Sequence, residues 1–232
     1  MKRSRRLLVL LLLALVGASV AVYESWIRIP PNLLPWSTVM LDAEPGWFAN
    51  IQLNSLSTDG AACRAALGRS QMKFSVMADR KIGDDCGFTD VVRADSTPIA
   101  FSPRPVATCG MTAGLYWWQR RLGAIAEVQL HSRVVKIDQL GTYACRNINS
   151  AAEGRRSQHA TANAIDVAAF HLADGRTISV LKDYGKDTPE GHFLDAAHDQ
   201  ACDLFNIVLG PRYNRLHANH FHLDLGGFRY CR

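Results

Sequence analysis

Three of the chain's eight histidines fall within six positions, in the run HANHFHLD at 217–224. Imidazole sits near neutrality at physiological pH, so such a cluster suits a metal site, a proton shuttle or a group of half-buried polar rings. Period narrows the choice. Alternate side chains of a strand share a face, so HFHLDL sends His220, His222 and Asp224 one way and Phe221, Leu223 and Leu225 the other. Packing needs only the apolar row. The polar row of two imidazoles and a carboxylate has to serve something else.

A second run, SQHATANAIDVAAF at 157–170, supplies partners. Read as a strand, it packs Ile165 and Val167 on one side. Asp166 projects from the other, between Ala164 and Ala168, whose small side chains leave room around the carboxylate. His159 lies just before, in a turn opened by Ser157. Catalytic zinc takes three protein ligands from His, Asp and Glu and keeps a fourth position for water. His159, Asp166 and one imidazole of the HxH pair make such a set, and the other imidazole is left to act on the water. A serine hydrolase would use Ser157 and His159 differently, but the chain has no GxSxG elbow. His131, His171, His192 and His198 are isolated in pattern and read as surface or packing residues.

The elements that must position these residues are legible in part. KFSVMA reads as a strand, GDDCG as a turn, and Asp59 to Leu67 as a short helix. Thr112 precedes AGLYWWQRRLGAIAE, where Leu115, Trp118, Leu122, Ile125 and Ala126 fall on one helical face. Strands are expected at VVKI, at TYACR and from Asn163 to Phe170, with Asp174-Gly175 turning the chain into RTISVL as a hairpin. Thr188-Pro189-Glu190 opens a helix with a capping hydroxyl, a proline and an acid. Its apolar spacing continues to Val208, and Gly210-Pro211 stops it. Strands mixed with helices and joined by hairpins predict an α+β domain, a mainly antiparallel sheet with flanking helices.

The chain as a whole sets the compartment. Its 232 residues suit one domain with a small accessory part, and 48% hydrophobic with 20% charged residues is an ordinary globular composition. A formal charge of +5 is compatible with an anionic partner such as a membrane surface or cell-wall polymer. No nucleic-acid-reading motif is present, so no nucleic acid partner is expected. MKRSRR followed by LLVLLLLALVGASVAV is a secretory signal or a signal anchor over residues 1–25. Ser19 and Ala21 could form a cleavage site, whereas Tyr23 and Trp26 would suit the interface beside an uncleaved anchor. RIPPNLLPW begins an extended, proline-containing spacer at 26–44, and residues 45–108 form a small mixed region before the sharper patterns from 109 to 232. Six cysteines, Cys63, Cys86, Cys109, Cys145, Cys202 and Cys231, none in a CxxC pair, predict disulfides in an exported chain. Pairing neighbours in order joins 63 with 86, 109 with 145 and 202 with 231. Nothing in the sequence specifies an oligomeric state.

SQHATANAIDV resembles the SxHxxGxAxD signature of the D-alanyl-D-alanine carboxypeptidase, lysostaphin-like and hedgehog group of zinc proteins, and HFH resembles its closing HxH. GTYACR, SQHATANAIDVAAFHLADGR, FNIVLGPRYN and HANHFHLDL together resemble the bacterial extensin-like C-terminal domain family. The resemblance implies a hedgehog/D-Ala-D-Ala peptidase-like fold with zinc (Zn2+) on His159, Asp166 and His222. It implies His220 as proton shuttle, Arg146 as the holder of a substrate carboxylate or developing oxyanion, and Ser157 as an aid to substrate orientation. Two positions depart from the pattern. Ala162 or Asn163 stands where relatives have glycine. Asn219 stands three residues before the last zinc histidine, where many relatives carry an acidic base. Asparagine cannot take a proton, so either His220 does the work, oriented by Asp224 or assisted by His217, or the site is slow or inactive. The resulting expectation is a zinc peptidase hydrolysing peptide bonds of peptidoglycan, as a D-Ala-type carboxypeptidase or endopeptidase using zinc-activated water. It would stand in the cell envelope, on the periplasmic side of the inner membrane. The alternative is a non-catalytic, zinc-containing cell-wall-binding module.

Overall fold

The computed structural model describes residues 2–24, 26, 29–30, 33–83 and 85–232. Helix α1 (Lys2–Tyr23) is apolar from Leu7 onward, and Leu7 to Val20 are exposed. It is long and apolar enough to cross a bilayer, which suits a secretory signal or an anchor. Helices α2 (Ala49–Thr58) and α3 (Gly60–Gly68) follow, and Asp59 caps α3 by accepting from the Ala62 amide. Then come strands β1 (Lys73–Val76), β2 (Arg80–Ile82), β3 (Cys86–Phe88), β4 (Val91–Ser96), β5 (Ala100–Ser102) and β6 (Val106–Thr108). The second half holds α4 (Cys109–Leu130), β7 (Val134–Gly141), β8 (Ala164–Leu172), β9 (Thr177–Ser179) and α5 (Val180–Asp183). It closes with α6 (Pro189–Leu204), β10 (Ile207–Leu209), β11 (Phe221–Asp224) and β12 (Tyr230–Cys231).

The architecture is α+β. A seven-stranded sheet runs β12-β10-β11-β8-β7-β5, with β9 also on β8. Its pairings are antiparallel except β10 with β12 and β5 with β7. Smaller antiparallel sheets, β1-β4-β6 and β2-β3, lie beside it. One hydrophobic core spans Val39 to Leu225. At its centre α4 is covered by α2, α3 and α6, which is why Tyr116 and Trp117 are as fully buried as Trp118 on the expected face. Each polar tip finds a partner: Tyr116 donates to Asp42 (2.5 Å), Trp117 to the Ala43 carbonyl (3.1 Å) and Trp118 to the Ala197 carbonyl (2.9 Å).

Several expectations need correction. Helix α4 starts at Cys109 under a Thr108 cap, not after Thr112, because the Thr108 hydroxyl accepts from the Met111 amide. The long C-terminal helix ends at Leu204; Val208 belongs to β10, whose apolar residues simply continue the helical run in the sequence. TYACR is not a strand. After Gly141 its backbone leaves the sheet and bonds to the turn holding His159, through Ala144 N to His159 O and Ser157 N to Arg146 O. The segment read as a spacer contains no α-helix or strand in its described part, yet Val39 and Leu41 are buried in the core. Disulfides join Cys63 to Cys109, Cys86 to Cys145 and Cys202 to Cys231. Only the last is a pair of neighbours in order. Three disulfides and an apolar N-terminal helix together indicate an extracytoplasmic location.

Candidate metal centre

Strands β8 and β11 pair antiparallel with Asp166 directly opposite His222. Phe221 and Leu223 point with Ile165 and Val167 into the core, so Asp166, His222 and Asp224 project from the other face. The third member, His159, comes from a 3₁₀ turn at Gln158–Thr161 that Ser157 caps through its hydroxyl. Ala162 closes that turn with φ +55°, the left-handed conformation that glycine adopts without cost.

His159 Nε2, Asp166 Oδ1 and His222 Nδ1 converge. The separations are 3.1 Å from His159 to Asp166, 3.2 Å from His159 to His222 and 2.9 Å from His222 to Asp166. All three residues are buried. The far nitrogens are already committed, His159 Nδ1 to the Thr142 carbonyl at 3.2 Å and His222 Nε2 to Asp224 Oδ2 at 2.9 Å. Carbonyl and carboxylate only accept, so each ring places its proton there and turns a lone pair toward the common point when neutral. Two imidazole lone pairs and a carboxylate facing each other are satisfied either by a proton on one ring or by a cation between them. Ligands around tetrahedral zinc at 2.0–2.1 Å stand roughly 3.3 Å apart, so the residues fit that ion. Outward bonds of this kind fix tautomer and ring orientation in metal-binding histidines.

Without a metal the same proximity appears as displaced proton affinities. Burial alone would raise the Asp166 carboxyl, but bonds from His159 and His222 outweigh it and hold it far below the usual carboxylate range. Burial would lower His222, yet the Asp166 and Asp224 carboxylates raise it to about 9. Burial draws His217 down to about 4, helped by the charges of His220 and His222. His220 is also lowered by burial, against the pull of Asp166.

The trio lies in an open cavity of about 730 Å3. His220 Nε2 stands 3.5 Å from Asp166 Oδ1, and its Nδ1 is 2.8 Å from Asn219 Oδ1. His217 packs against His220 with ring centres 5.2 Å apart and planes tilted by 46°, and bonds to Asn214. Arg146 lines the cavity, with one guanidinium nitrogen 3.2 Å from Ser150 Oγ. Ser157 also lines it, although its hydroxyl serves the turn. Asp224 orients His222, not His220, and additionally accepts from the Gly226 amide at 2.7 Å. Sequence reasoning missed Thr142, because a backbone carbonyl has no side-chain signature. It also missed other lining residues of the cavity, among them Arg155, Arg156, Tyr213, Phe228 and Tyr230, with Arg155 over the Phe228 ring at 5.9 Å. The family described as Extensin-like protein C-terminus matches residues 61–232. The chain belongs to this family. Every residue of the extensin-like site lies within the matched span, while α1, α2 and the segment between them precede it. No curated protein and no solved structure matches the chain.

Proposed function

We propose that this extensin-like protein is a zinc-dependent peptidase that hydrolyses amide bonds in peptidoglycan peptides, as a D-Ala-type carboxypeptidase or endopeptidase. In this reading it works on the periplasmic side of the inner membrane with a fold akin to the hedgehog and D-Ala-D-Ala peptidase group. The observation that carries the proposal is the convergence of three donor atoms at 2.9–3.2 Å with both rings fixed from behind. His159, Asp166 and His222 would hold the ion. Zinc at such a site supplies Lewis acidity, polarising a carbonyl and lowering the pKa of water to about 7.

The chain's own residues then divide the remaining work. His220 donates from Nδ1 to Asn219 Oδ1, which leaves the Nε2 lone pair facing the cavity floor. Burial keeps its pKa below the ordinary histidine value, so the ring is unprotonated at neutral pH and ready to accept a proton. Asn219 therefore positions the base in place of being one. Arg146 offers a guanidinium to a substrate carboxylate or a developing oxyanion. Arg155 and Arg156 make the same wall basic, which favours an acidic peptide.

Digestion of purified muropeptides by the zinc-loaded chain tests this. Cleavage is expected in the wild type. The His220→Ala variant should lose on the order of 10²- to 10⁴-fold in kcat with zinc content unchanged, and Arg146→Ala should chiefly raise KM. A zinc-loaded chain that binds wall fragments, cuts none of them and binds equally well as His220→Ala would instead be a non-catalytic wall-binding module.

A further inference from the structure

Between residues 33 and 51, six large apolar side chains are exposed: Leu33, Trp36, Met40, Trp47, Phe48 and Ile51. Trp47 is 96% exposed and Trp36 80%. Helix α2 is part of this face. Its sequence, ANIQLNSLST, has no charged residue, and it buries Ala49, Gln52, Leu53 and Leu56. Phe48, at its N-cap, and Ile51 are one turn apart on the exposed side. A solvated helix face ordinarily carries charge. Gln52 of α2 holds the turn that carries Trp36, its amide donating to the Leu34 carbonyl at 2.8 Å and to Ser37 Oγ at 3.3 Å. The acids of the same segment are exposed but paired, Asp42 with the Tyr116 hydroxyl and Glu44 with Arg120. Most of the exposed side chains of this segment are apolar, and two of them are tryptophan.

We infer that this face rests on the bilayer surface, with Trp36 and Trp47 in the headgroup region beside the membrane segment α1. The inference rests on reading α1 as an uncleaved anchor. Tryptophan prefers the membrane–water interface, where its ring is half apolar and its N–H stays wet. The tether makes the bilayer the nearest partner. Helix α1 ends at Tyr23 and the first core side chain is Val39, so the link spans at most about 55 Å even if fully extended. It is shorter than that, because turns fold it back at Leu33 N to Pro30 O and Ser37 N to Leu34 O. A second copy of the chain is the competing occupant. A tryptophan-rich face held close to the bilayer by the anchor, its two acids already paired with Tyr116 and Arg120, matches a lipid interface better.

Tryptophan quenching by brominated lipid tests the inference on the full chain. The protein is reconstituted, one copy per disc, into phosphatidylcholine/phosphatidylglycerol nanodiscs with and without bromine on the acyl chains. Trp117 and Trp118, fully buried, supply an unquenched background, and Trp26 beside α1 reports the anchor. The double variant Trp36→Phe/Trp47→Phe should lose about half or more of the wild-type quenching, and Trp26→Phe a separate share. If only Trp26→Phe reduces quenching, the anchor is inserted and the docking is wrong. If no tryptophan is quenched, α1 is not inserted and the inference falls with it. If Trp36 and Trp47 become shielded only when two copies share a disc, a dimer contact replaces it.

Discussion

The behaviour of His222 depends on which of its nitrogens carries the proton, and Asp224 decides that. With Nε2 donating to Asp224 at 2.9 Å, Nδ1 is free for an ion. Asp224→Asn keeps the shape but offers an amide that can rotate its donor toward the ring. Zinc affinity should then fall roughly 10- to 100-fold, measurable by competition with a chelating dye, while the folded state persists. Protons compete for the same lone pair. Because the metal-free His222 titrates near 9, it is protonated at pH 7.5, and zinc must displace that proton. Calorimetry in buffers of different ionisation enthalpy should show about one proton released per zinc; none released would contradict the assignment of His222. Stability follows the same groups. Raised from 6.5 to about 9, His222 adds stability to the metal-free chain that is complete below pH 6.5 and lost as pH climbs through 9. His217, drawn from 6.5 down to about 4, acts oppositely. Between those values the unfolded chain takes a proton that the folded one refuses, so stability drops as pH falls. Thermal melts in chelator should therefore peak near pH 6.5, whereas the stabilisation by added zinc should grow toward alkaline pH.

Two strands and a turn bring the site together, and they differ in how far the sequence reveals them. Strands β8 and β11 are legible because their apolar and polar residues alternate with period two, and that period also orients Asp166 and His222. Helix α6 is legible at its start, where the Thr188 hydroxyl does accept from Gly191. Helix α2 is not, since Phe48 at its N-cap provides no side-chain bond and the helix has no charge pattern. Disulfide pairing depends on distances that spacing does not encode: Cys86 reaches Cys145 across 59 positions. That bond ties β3 to the segment leading into Arg146. Replacing both cysteines by serine should cost about 4 kcal/mol by loop entropy, read in denaturant melts, and should weaken substrate binding more than zinc binding. At the turn, Ala162 holds a left-handed backbone while its methyl is buried. Glycine there relieves strain and forfeits packing, so Ala162→Gly should change stability by less than about 1 kcal/mol. A β-branched valine has no tolerance for that φ, and Ala162→Val should destabilise by about 2 kcal/mol or more and lower zinc occupancy.

At the scale of the whole molecule, one core from Val39 to Leu225 supports both the site and the face that precedes the family region. Sequence patterns identified the apolar N-terminus and the polar face of β11, because both are local in the chain. They did not reveal the cavity, whose walls come from residues 146–157 and 207–230 folded around the trio, nor the docking of residues 42–45 onto α4. Those depend on contacts between distant segments. The central claim is that His159, Asp166 and His222 hold an ion, and metal analysis tests it most directly. The full-length chain, oxidatively folded and desalted, should carry about one zinc per chain, and Asp166→Ala should lose it while remaining folded. A well-folded wild type that takes up no zinc, or an Asp166→Ala variant that keeps its full complement, would contradict the claim.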